Sequence, residues 1–285
     1  MVDLHIHSTE SDGYDTPKEI LEKAEKLKLK VISITDHETV NAYNVLGKDV
    51  SGIFSGKLIT GIELKTYYDG KIIDILGYGF DPKLMEQNLK EFYKEKTHAF
   101  LQKKYLKEFY KKAECLNLKV TPITEVKWNP DKNWASIIFY EELKKYTENY
   151  EKLPKGLLDS FDAFCSEYHN IDSLFYIDKS GDYPTLEQAI EIIHKSGGKA
   201  FVAHIYIYKC IDNKISFLDE CINKFEIDGI ECFYPSFSEK QTKTLLEYCA
   251  KNNLLISGGS DYHSLNKPTI PLGLDYDYTK YLSWI

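Results

Sequence analysis

The chain begins with Met1-Val2-Asp3-Leu4-His5-Ile6-His7, a short apolar stretch that ends in two histidines. Successive side chains of a β-strand point to opposite faces, so His5 and His7 are expected on the same face. Two neutral imidazoles side by side form half of a metal site. The stretch therefore predicts a first strand whose carboxyl end carries metal ligands.

Further strand-like segments are followed by polar residues of the same kind. The candidate ligands at these strand ends are His5, His7, Asp12, His37, Glu63, Asp74, His204, Asp261 and His263. Five imidazoles and four carboxylates exceed the roughly four ligands that one zinc ion takes. They predict two or three divalent ions, and mixed nitrogen and oxygen ligation without thiolate suits Zn, Mn or Fe.

Strands and helices alternate along most of the chain. Capping boxes at Thr16–Glu19 and Thr185–Gln188 predict the starts of two helices. The apolar run Val31–Thr35 is typical of a strand that is buried on both faces. This alternation predicts an α/β architecture with parallel strands, and the polar strand ends predict a barrel with its active face at that end.

The middle of the chain departs from this rhythm. Leu58–Leu64 and Ile72–Tyr78 read as two strands, and the intervening Tyr68-Asp69-Gly70 favours a hairpin. Residues 84–180 are rich in lysine, glutamate and aromatic side chains with helical spacing. We therefore predict a barrel domain formed by 1–83 and 181–285, with 84–180 inserted as a mainly helical cap.

Composition narrows the functional classes. The net charge of −8 argues against stable binding of duplex nucleic acid, and no apolar run is long enough to span a membrane. Six scattered cysteines without a CxxC pair predict reduced thiols and a cytoplasmic protein. The sequence contains no arginine, so a bound phosphate must be held by metals, lysines, hydroxyls and backbone N–H groups.

Several motifs together resemble a known family. These are His5-Ile6-His7-Ser8-Thr9-Glu10-Ser11-Asp12-Gly13, Thr35-Asp36-His37, Gly61-Ile62-Glu63, Ala203-His204 and Gly258-Gly259-Ser260-Asp261-Tyr262-His263. The set resembles the PHP (polymerase and histidinol phosphatase) metal-dependent phosphoesterases. The nearest branch carries a helical insertion and includes nucleotide phosphatases and 5′-to-3′ trimming exoribonucleases. The resemblance implies a distorted (β/α)7 barrel with three metals at the carboxyl ends of the strands.

The resemblance also implies how the ligands divide among the ions. The first ion would take His5, His7, Glu63 and Asp261, the second Asp12, His37 and His263, and the third Glu63, Asp74 and His204. A hydroxide shared between ions would attack phosphorus. Asp36 would orient a ligand or shuttle a proton. The catalytic candidates are Asp36, His37 and His263.

The sequence departs from the family pattern at positions that bear on the substrate. Asp74 stands where a histidine is usual, which favours a harder ion such as Mn or Mg. Phe237 stands where a histidine is frequent, and the phosphate-contacting arginines of the insertion have no counterpart around 133–136. Candidate replacements are Lys65, Lys103, Lys104 and Lys267.

The predicted activity is metal-dependent hydrolysis of a small phosphomonoester. The phosphorylated substrate would be a nucleotide, a nucleoside 3′,5′-bisphosphate or a short RNA end. Two alternatives stay open at this point. One is an amidohydrolase-like metal hydrolase, in which Lys65 could share a strand face with Glu63. The other is a catalytically silent protein that binds phosphorylated ligands.

Overall fold

The computed structural model describes residues 1–94, 96–168, 172–274 and 278–285, without the side chains of 166–168. The chain divides into two compact units. The barrel unit comprises Met1–Thr66, Ile73–Glu91 and Pro184–Ile285, and the helical unit comprises Tyr67–Ile72 and Phe92–Tyr183. The predicted domain boundaries at 84 and 180 remain predictions.

The barrel unit is built on a seven-stranded sheet whose strands neighbour one another in chain order. The strands are β1 (Val2–Ile6), β2 (Val31–Ile34), β3 (Lys57–Tyr68), β4 (Lys71–Tyr78), β5 (Lys199–Val202), β6 (Gly229–Phe233) and β7 (Leu255–Gly258). Ile6 also pairs in parallel with Tyr262, which follows β7. The sheet therefore curls back onto its first strand, and the predicted α/β fold with a distorted seven-stranded barrel is confirmed.

One strand runs against the predicted parallel pattern. β1, β2 and β3 pair in parallel, as do β5, β6 and β7, whereas β4 pairs antiparallel with β5. Only Asp69 and Gly70 connect β3 to β4, and both have positive φ angles of 48° and 75°. A two-residue turn of this kind reverses the chain, whereas a parallel connection needs a long crossover.

Ten α-helices lie in the described part of the chain. They are α1 (Pro17–Lys26), α2 (Asn41–Leu46), α3 (Pro82–Phe92), α4 (His98–Cys115), α5 (Ala135–Lys144), α6 (Glu148–Lys152), α7 (Phe161–Tyr168), α8 (Leu186–Lys195), α9 (Lys214–Lys224) and α10 (Glu239–Asn252). Both predicted capping boxes form. Thr16 accepts a hydrogen bond from the backbone N–H of Glu19, whose carboxylate accepts one from the backbone N–H of Thr16.

Apolar side chains lock the strands of the barrel unit in place. All five residues of β1 are buried, and Leu4, Ile75 and Phe201 are fully shielded from solvent. Burial of one such side chain stabilises the fold by about 1.5–3 kcal/mol. The polar residues at the strand ends are thus carried on a rigid, close-packed support.

The helical unit has a separate core that is rich in aromatic rings. Phe109 of α4 stacks on Phe139 of α5 with ring centroids 4.9 Å apart. Phe164 and Phe175 pack around Phe139 at 6.1 Å and 5.6 Å. All four rings are buried, so this segment has the apolar interior that a compact unit needs.

Candidate metal centre

The predicted ligands lie where strands of the barrel unit end. His5 belongs to β1 and His7 follows it, while His37 follows β2 and Glu63 lies within β3. The other residues follow later strands: His204 comes after β5, and Asp261 and His263 come after β7. The carboxyl ends of parallel strands lie on one edge of a sheet, which brings these distant residues together.

Among the described residues, three overlapping groups of side chains could hold a metal ion. Within each group, the ligand atoms lie within 4.8 Å of one another. The groups are His7, Asp12, His37 and His263; His5, His7 and Asp261; and His5, Glu63 and His204. They contain eight of the nine predicted ligands, and Asp74 belongs to none of them.

The group around His7 has spacings that suit a shared ion. His7 Nε2 lies 3.1 Å from Glu63 Oε2 and 3.3 Å from Asp261 Oδ1. His5 Nε2 lies 3.1 Å from the same Glu63 oxygen. Ligands held at ~2.1 Å from one ion, at tetrahedral or octahedral angles, are themselves ~3.0–3.4 Å apart. The observed distances match that spacing.

A second set of donors surrounds Asp12. Asp12 Oδ1 lies 3.2 Å from His263 Nε2 and 3.4 Å from His7 Nδ1. Asp12 Oδ2 lies 3.6 Å from His37 Nε2. Both carboxylate oxygens therefore face imidazole nitrogens, and the hard and borderline donors of this set suit a divalent ion.

The third set joins Glu63 and His204, while Asp74 lies beside it. His204 Nε2 lies 2.9 Å from Glu63 Oε1. Tyr208 donates a hydrogen bond of 3.1 Å to Asp74 Oδ2. Asp74 Oδ1 and His204 Nδ1 are buried and have no hydrogen-bond partner among the described residues. Unpartnered buried polar atoms are costly, and a bound cation would offset that cost at Asp74.

Three carboxylates of the centre, Asp12, Glu63 and Asp261, have lowered pKa values. Burial alone would raise their pKa values, but the surrounding imidazoles outweigh burial. The pKa of Asp12 is held well below its usual range by His37, His263 and His7. His5 and His37 have the same effect on Glu63, and His5 and His7 on Asp261. The ionised form of these three carboxylates is thus favoured at neutral pH, and that is the form in which a carboxylate binds a metal ion.

The imidazoles of the centre differ in the direction in which their pKa values are shifted. Burial lowers the pKa of His37 well below 6.5, helped by the charge of Lys65, and burial also lowers the pKa of His263. Both rings therefore have a lone pair available at neutral pH. Burial alone would lower the pKa of His7, but Asp261, Glu63 and Asp12 raise it to about 9. His7 must therefore lose a proton before one of its nitrogens can bind a metal ion.

Comparison with known families agrees with this geometry. The model of the PHP domain family matches residues 3–217, which is most of the chain. The chain belongs to the PHP family. It is accordingly a metal-dependent phosphoesterase, and the resemblance and the enzyme class predicted from the sequence are confirmed.

Characterised PHP relatives act on different phosphate esters. The 5′-3′ exoribonuclease Rnm of Escherichia coli is 27% identical over 282 residues, which cover 95% of this chain and 87% of the relative. A phosphoribosyl 1,2-cyclic phosphate 1,2-diphosphodiesterase of Eggerthella lenta is 25% identical, with 92% and 93% coverage. A 3′,5′-nucleoside bisphosphate phosphatase of Chromobacterium violaceum is 22% identical, with 92% and 87% coverage.

Solved structures share the fold of this PHP protein. A protein of Bifidobacterium adolescentis that was assigned as a metal-dependent phosphoesterase superimposes with a TM-score of 0.69 at 22% identity. An amidohydrolase from Chromobacterium violaceum gives the same TM-score at 20% identity. Each comparison covers 97% of this chain and 91% of the other.

Within the described residues, no helix is both long and apolar enough to cross a membrane.

Glu231 supports the PHP centre but was absent from the predicted site residues. Its Oε1 lies 2.9 Å from His5 Nδ1, and its Oε2 accepts a hydrogen bond of 2.8 Å from the backbone N–H of His204. One buried carboxylate thus fixes the ring of one ligand and the backbone of another. The sequence feature that could have identified Glu231 is its position as a glutamate inside the otherwise apolar strand Gly229–Phe233.

Asp36 holds the loop that carries Asp12. Asp36 Oδ1 accepts hydrogen bonds from the backbone N–H of Ser8 and the hydroxyl of Ser11, both at 2.7 Å. Its Oδ2 accepts one from the hydroxyl of Ser8 at 2.6 Å. Burial raises the pKa of Asp36 although these bonds oppose the shift. The structure therefore places Asp36 as a support for the loop between His7 and Asp12.

The Asp261 loop is held in an unusual backbone conformation. Asp261 has φ of 56°, and His204 has φ of 20°; positive values are strained for these residue types. A Cβ on Gly259 would lie 2.3 Å from the backbone nitrogen of His5, so only glycine allows this close approach. Tyr234 and Lys267 each donate a hydrogen bond of 2.7 Å to Asp261 Oδ2, which leaves Oδ1 facing the imidazoles.

The candidate lysines lie in different surroundings. Lys65 Nζ contacts His37, and Lys267 Nζ contacts Asp261, so both are at the centre. Lys104 pairs with Asp182 inside the helical unit, and Lys103 is exposed on the same helix. Phe237, which replaces the histidine frequent in the family pattern, is buried and packs against Tyr234 with ring centroids 5.2 Å apart.

Proposed function

We propose that this PHP phosphoesterase hydrolyses a small phosphomonoester on a nucleotide, a nucleoside 3′,5′-bisphosphate or a short RNA end. The observation that carries the proposal is the overlap of three donor groups through His5 and His7. Overlapping groups allow ions to lie side by side on one phosphate. Relatives over nearly the whole chain act on RNA ends and on nucleoside bisphosphates, in agreement with this substrate class.

The proposed centre holds two or three divalent ions, chosen among Mn, Zn and Fe. The proposed ligands are His5, His7, Glu63 and Asp261 for one ion; Asp12, His37 and His263 for another; and Glu63 and His204, with Asp74 beside them, for a third. Such ions supply water activated near neutral pH and neutralise charge on phosphoryl oxygens. The donor spacings of 2.9–3.6 Å support this assignment.

The side chains around the ligands set the geometry in which a phosphate would be held. Glu231 orients His5, and Tyr234 and Lys267 fix which oxygen of Asp261 faces the imidazoles. We propose that Asp36 acts as a positioning residue, since its oxygens already bind Ser8 and Ser11. We propose His37 and His263 as the catalytic residues that also bind metal, since burial lowers the pKa of both imidazoles and leaves each a lone pair near neutral pH.

A phosphate-release assay tests the proposed function. The Mn²⁺-loaded protein would be given p-nitrophenyl phosphate, nucleoside monophosphates, nucleoside 3′,5′-bisphosphates and a 5′-phosphorylated RNA oligonucleotide. We expect turnover of the bisphosphate or the RNA end, and loss of turnover and of bound metal in His5→Ala and Asp261→Ala. His194→Gln is the matched control, because His194 belongs to none of the donor groups. Its Nε2 lies 2.7 Å from Asp228 Oδ2.

Other outcomes would select a different function. Tight nucleotide binding without turnover would favour the silent ligand-binding alternative. Hydrolysis of amides without hydrolysis of phosphate esters would contradict the proposed reaction. Loss of activity in the His194→Gln control to the same degree as in His5→Ala would show that the assay reports folding and not the centre.

We also propose the domain boundaries 1–83, 84–180 and 181–285 and a cytoplasmic location. The division of the chain into compact units near residues 91 and 184 supports the boundaries. All six cysteines are free thiols, which supports a reducing compartment. Limited proteolysis tests the boundaries, and cell fractionation tests the location.

A further inference from the structure

Lys65 places a positive charge against one of the proposed ligands. It follows Glu63 by two residues on β3, so the two side chains lie on the same face of the strand. Its Nζ lies 2.9 Å from Nδ1 and 3.2 Å from Nε2 of His37. The ammonium group therefore lies close to both ring nitrogens and is not in line with either lone-pair direction, which lies in the ring plane.

Lys65 lies among acidic side chains of the centre. Its backbone N–H donates a hydrogen bond of 2.9 Å to Glu38 Oε1. The charge of Lys65 lowers the pKa of Asp74 and of Glu38 against the effect of burial, which raises both. The ammonium group thus lies near the partly buried carboxyl groups of Asp74 and Glu38 and on the same strand face as the buried Glu63.

A divalent ion bound to His37 would compete with this ammonium group. An ion on a ring nitrogen lies ~2.0–2.1 Å from it, which leaves the ion only a few ångström from Lys65 Nζ. Like charges at such distances repel strongly where water is largely excluded. The other two donor groups do not contain His37.

We propose that the ammonium group of Lys65 competes with a divalent ion for His37, so that the ion held by Asp12, His37 and His263 is the most weakly bound of the centre. This inference rests on the proposed metal centre. The ion of the group His5, His7 and Asp261 is retained when the protein is dialysed, and the ion on His37 exchanges. The positive charge of Lys65 thus determines how many divalent ions stay bound to the protein during dialysis.

Calorimetric titration of the metal-stripped protein with Mn²⁺ tests the proposal without any substrate. Wild type should show a tight step and a separate weaker step. Lys65→Met, which keeps the length of the side chain without its charge, should bind the weaker ion about 10-fold or more tightly. Lys65→Gln provides a second uncharged variant, and Lys65→Arg should keep the wild-type isotherm because the charge is kept. Lys57→Met, at the exposed start of β3, is the matched control.

Elemental analysis after dialysis gives an independent count of retained ions. We expect one more ion per chain in Lys65→Met and Lys65→Gln than in wild type and Lys57→Met. Isotherms that coincide with wild type, or weaker binding in both uncharged variants, would overturn the competition. A complete lack of Mn²⁺ binding in wild type would overturn it together with the proposed metal centre, whereas binding without turnover would count against the substrate proposal alone.

Discussion

At the scale of single residues, the centre depends on carboxylates that are not themselves proposed ligands. Glu231 joins β6 to two ligands, because it contacts the ring of His5 and the backbone of His204. Asp3 has a comparable role in β1. It accepts hydrogen bonds from the backbone N–H and the hydroxyl of Ser260 at 2.9 Å and 2.5 Å, and from the backbone N–H of Gly273 at 2.7 Å. These buried acids hold the ligand loops at fixed positions.

Replacing Glu231 by glutamine should weaken metal binding while the fold persists. The amide keeps the shape of the side chain but loses the charge that orients His5, so we expect metal affinity to fall about 10- to 100-fold. Calorimetric titration with Mn²⁺ measures the change, and circular dichroism checks the fold. Glu239→Gln, at an exposed position at the start of α10, should bind metal like wild type. Equal affinities in the two variants would contradict the role of Glu231.

Metal affinity should rise with pH up to about 9. The pKa of His7 is raised to about 9 in the metal-free protein by Asp261, Glu63 and Asp12, although burial opposes the shift. The proton therefore occupies His7 at pH 7, and metal binding must displace it. Because protons stabilise only the metal-free form, lower pH weakens binding. Titrations in two buffers with different ionisation enthalpies measure the proton release, and identical heats in both buffers would refute this expectation.

At the scale of elements, the strand ends carry the ligands and the hairpin alters the sheet. β3 extends to Tyr68, beyond the predicted end at Leu64, and returns directly as β4. This connection places Asp74 on a strand that runs against β5. Asp74 accepts a hydrogen bond from Tyr208 and belongs to none of the three donor groups found among the described residues.

The Gly259→Ala substitution should disrupt the junction between β1 and the Asp261 loop. The added methyl would lie 2.3 Å from the backbone nitrogen and the Cβ of His5, so the strand or the loop must move. We expect at least a 10-fold loss of metal affinity and a destabilisation of about 1–3 kcal/mol, as for other overpacked sites. Urea unfolding and Mn²⁺ titration give the two values. Gly52→Ala, which meets no atom within 4 Å, is the control. Wild-type binding in Gly259→Ala would exclude this packing constraint.

Truncation of Phe139 should destabilise the helical unit. Its ring is fully buried among Phe109, Phe164 and Phe175, so Phe139→Ala leaves a cavity that should cost about 3–5 kcal/mol. Urea unfolding followed by tryptophan fluorescence reports the loss, since Trp128 packs against this core. Phe100→Ala on α4 should cost far less, because Phe100 is 55% exposed. Similar losses in the two variants would contradict the proposed core.

At the scale of the whole molecule, negative charge and the lack of arginine bear on the choice of substrate. The net charge of −8 repels a long polyanion, whereas a single phosphate at a multi-metal centre is attracted by the ions themselves. Lys65 and Lys267 are the lysines whose contacts place them at the centre. This charge pattern agrees with the small phosphate ester or strand end that we propose as substrate.

Removing the metal should lower both activity and thermal stability. Ions that bind only the folded protein stabilise it by about 2.7 kcal/mol at 100 times the dissociation constant. For a chain of this size, we expect EDTA to lower Tm by about 5–10 °C. Thermal melts with EDTA, and with Mn²⁺ added back, measure the effect. In Asp261→Ala the shift on chelation should be much smaller than in wild type. An unchanged Tm in wild type would contradict metal binding at the centre.

The sequence by itself determined the chemistry and the fold class. The period of two in His5-Ile6-His7, the glycine-flanked Asp261 and His263, and the strand–helix alternation are local properties that predicted metal ligands and an α/β fold. The resemblance of the whole motif set to the PHP family implied the distorted seven-stranded barrel, and the family and the curled sheet of seven strands are confirmed. The capping boxes are equally local, because their partners are three residues apart.

Only the tertiary structure decided which of these groups meet. Glu231 and His5 are 226 positions apart, and their contact exists because the sheet curls until β6 and β7 lie beside β1. The contact of Lys65 with His37 likewise joins residues of different segments, since Lys65 lies in β3 and His37 follows β2. A local pattern fixes the face from which a side chain projects, whereas the distance between two faces is set by the packing of the whole barrel unit.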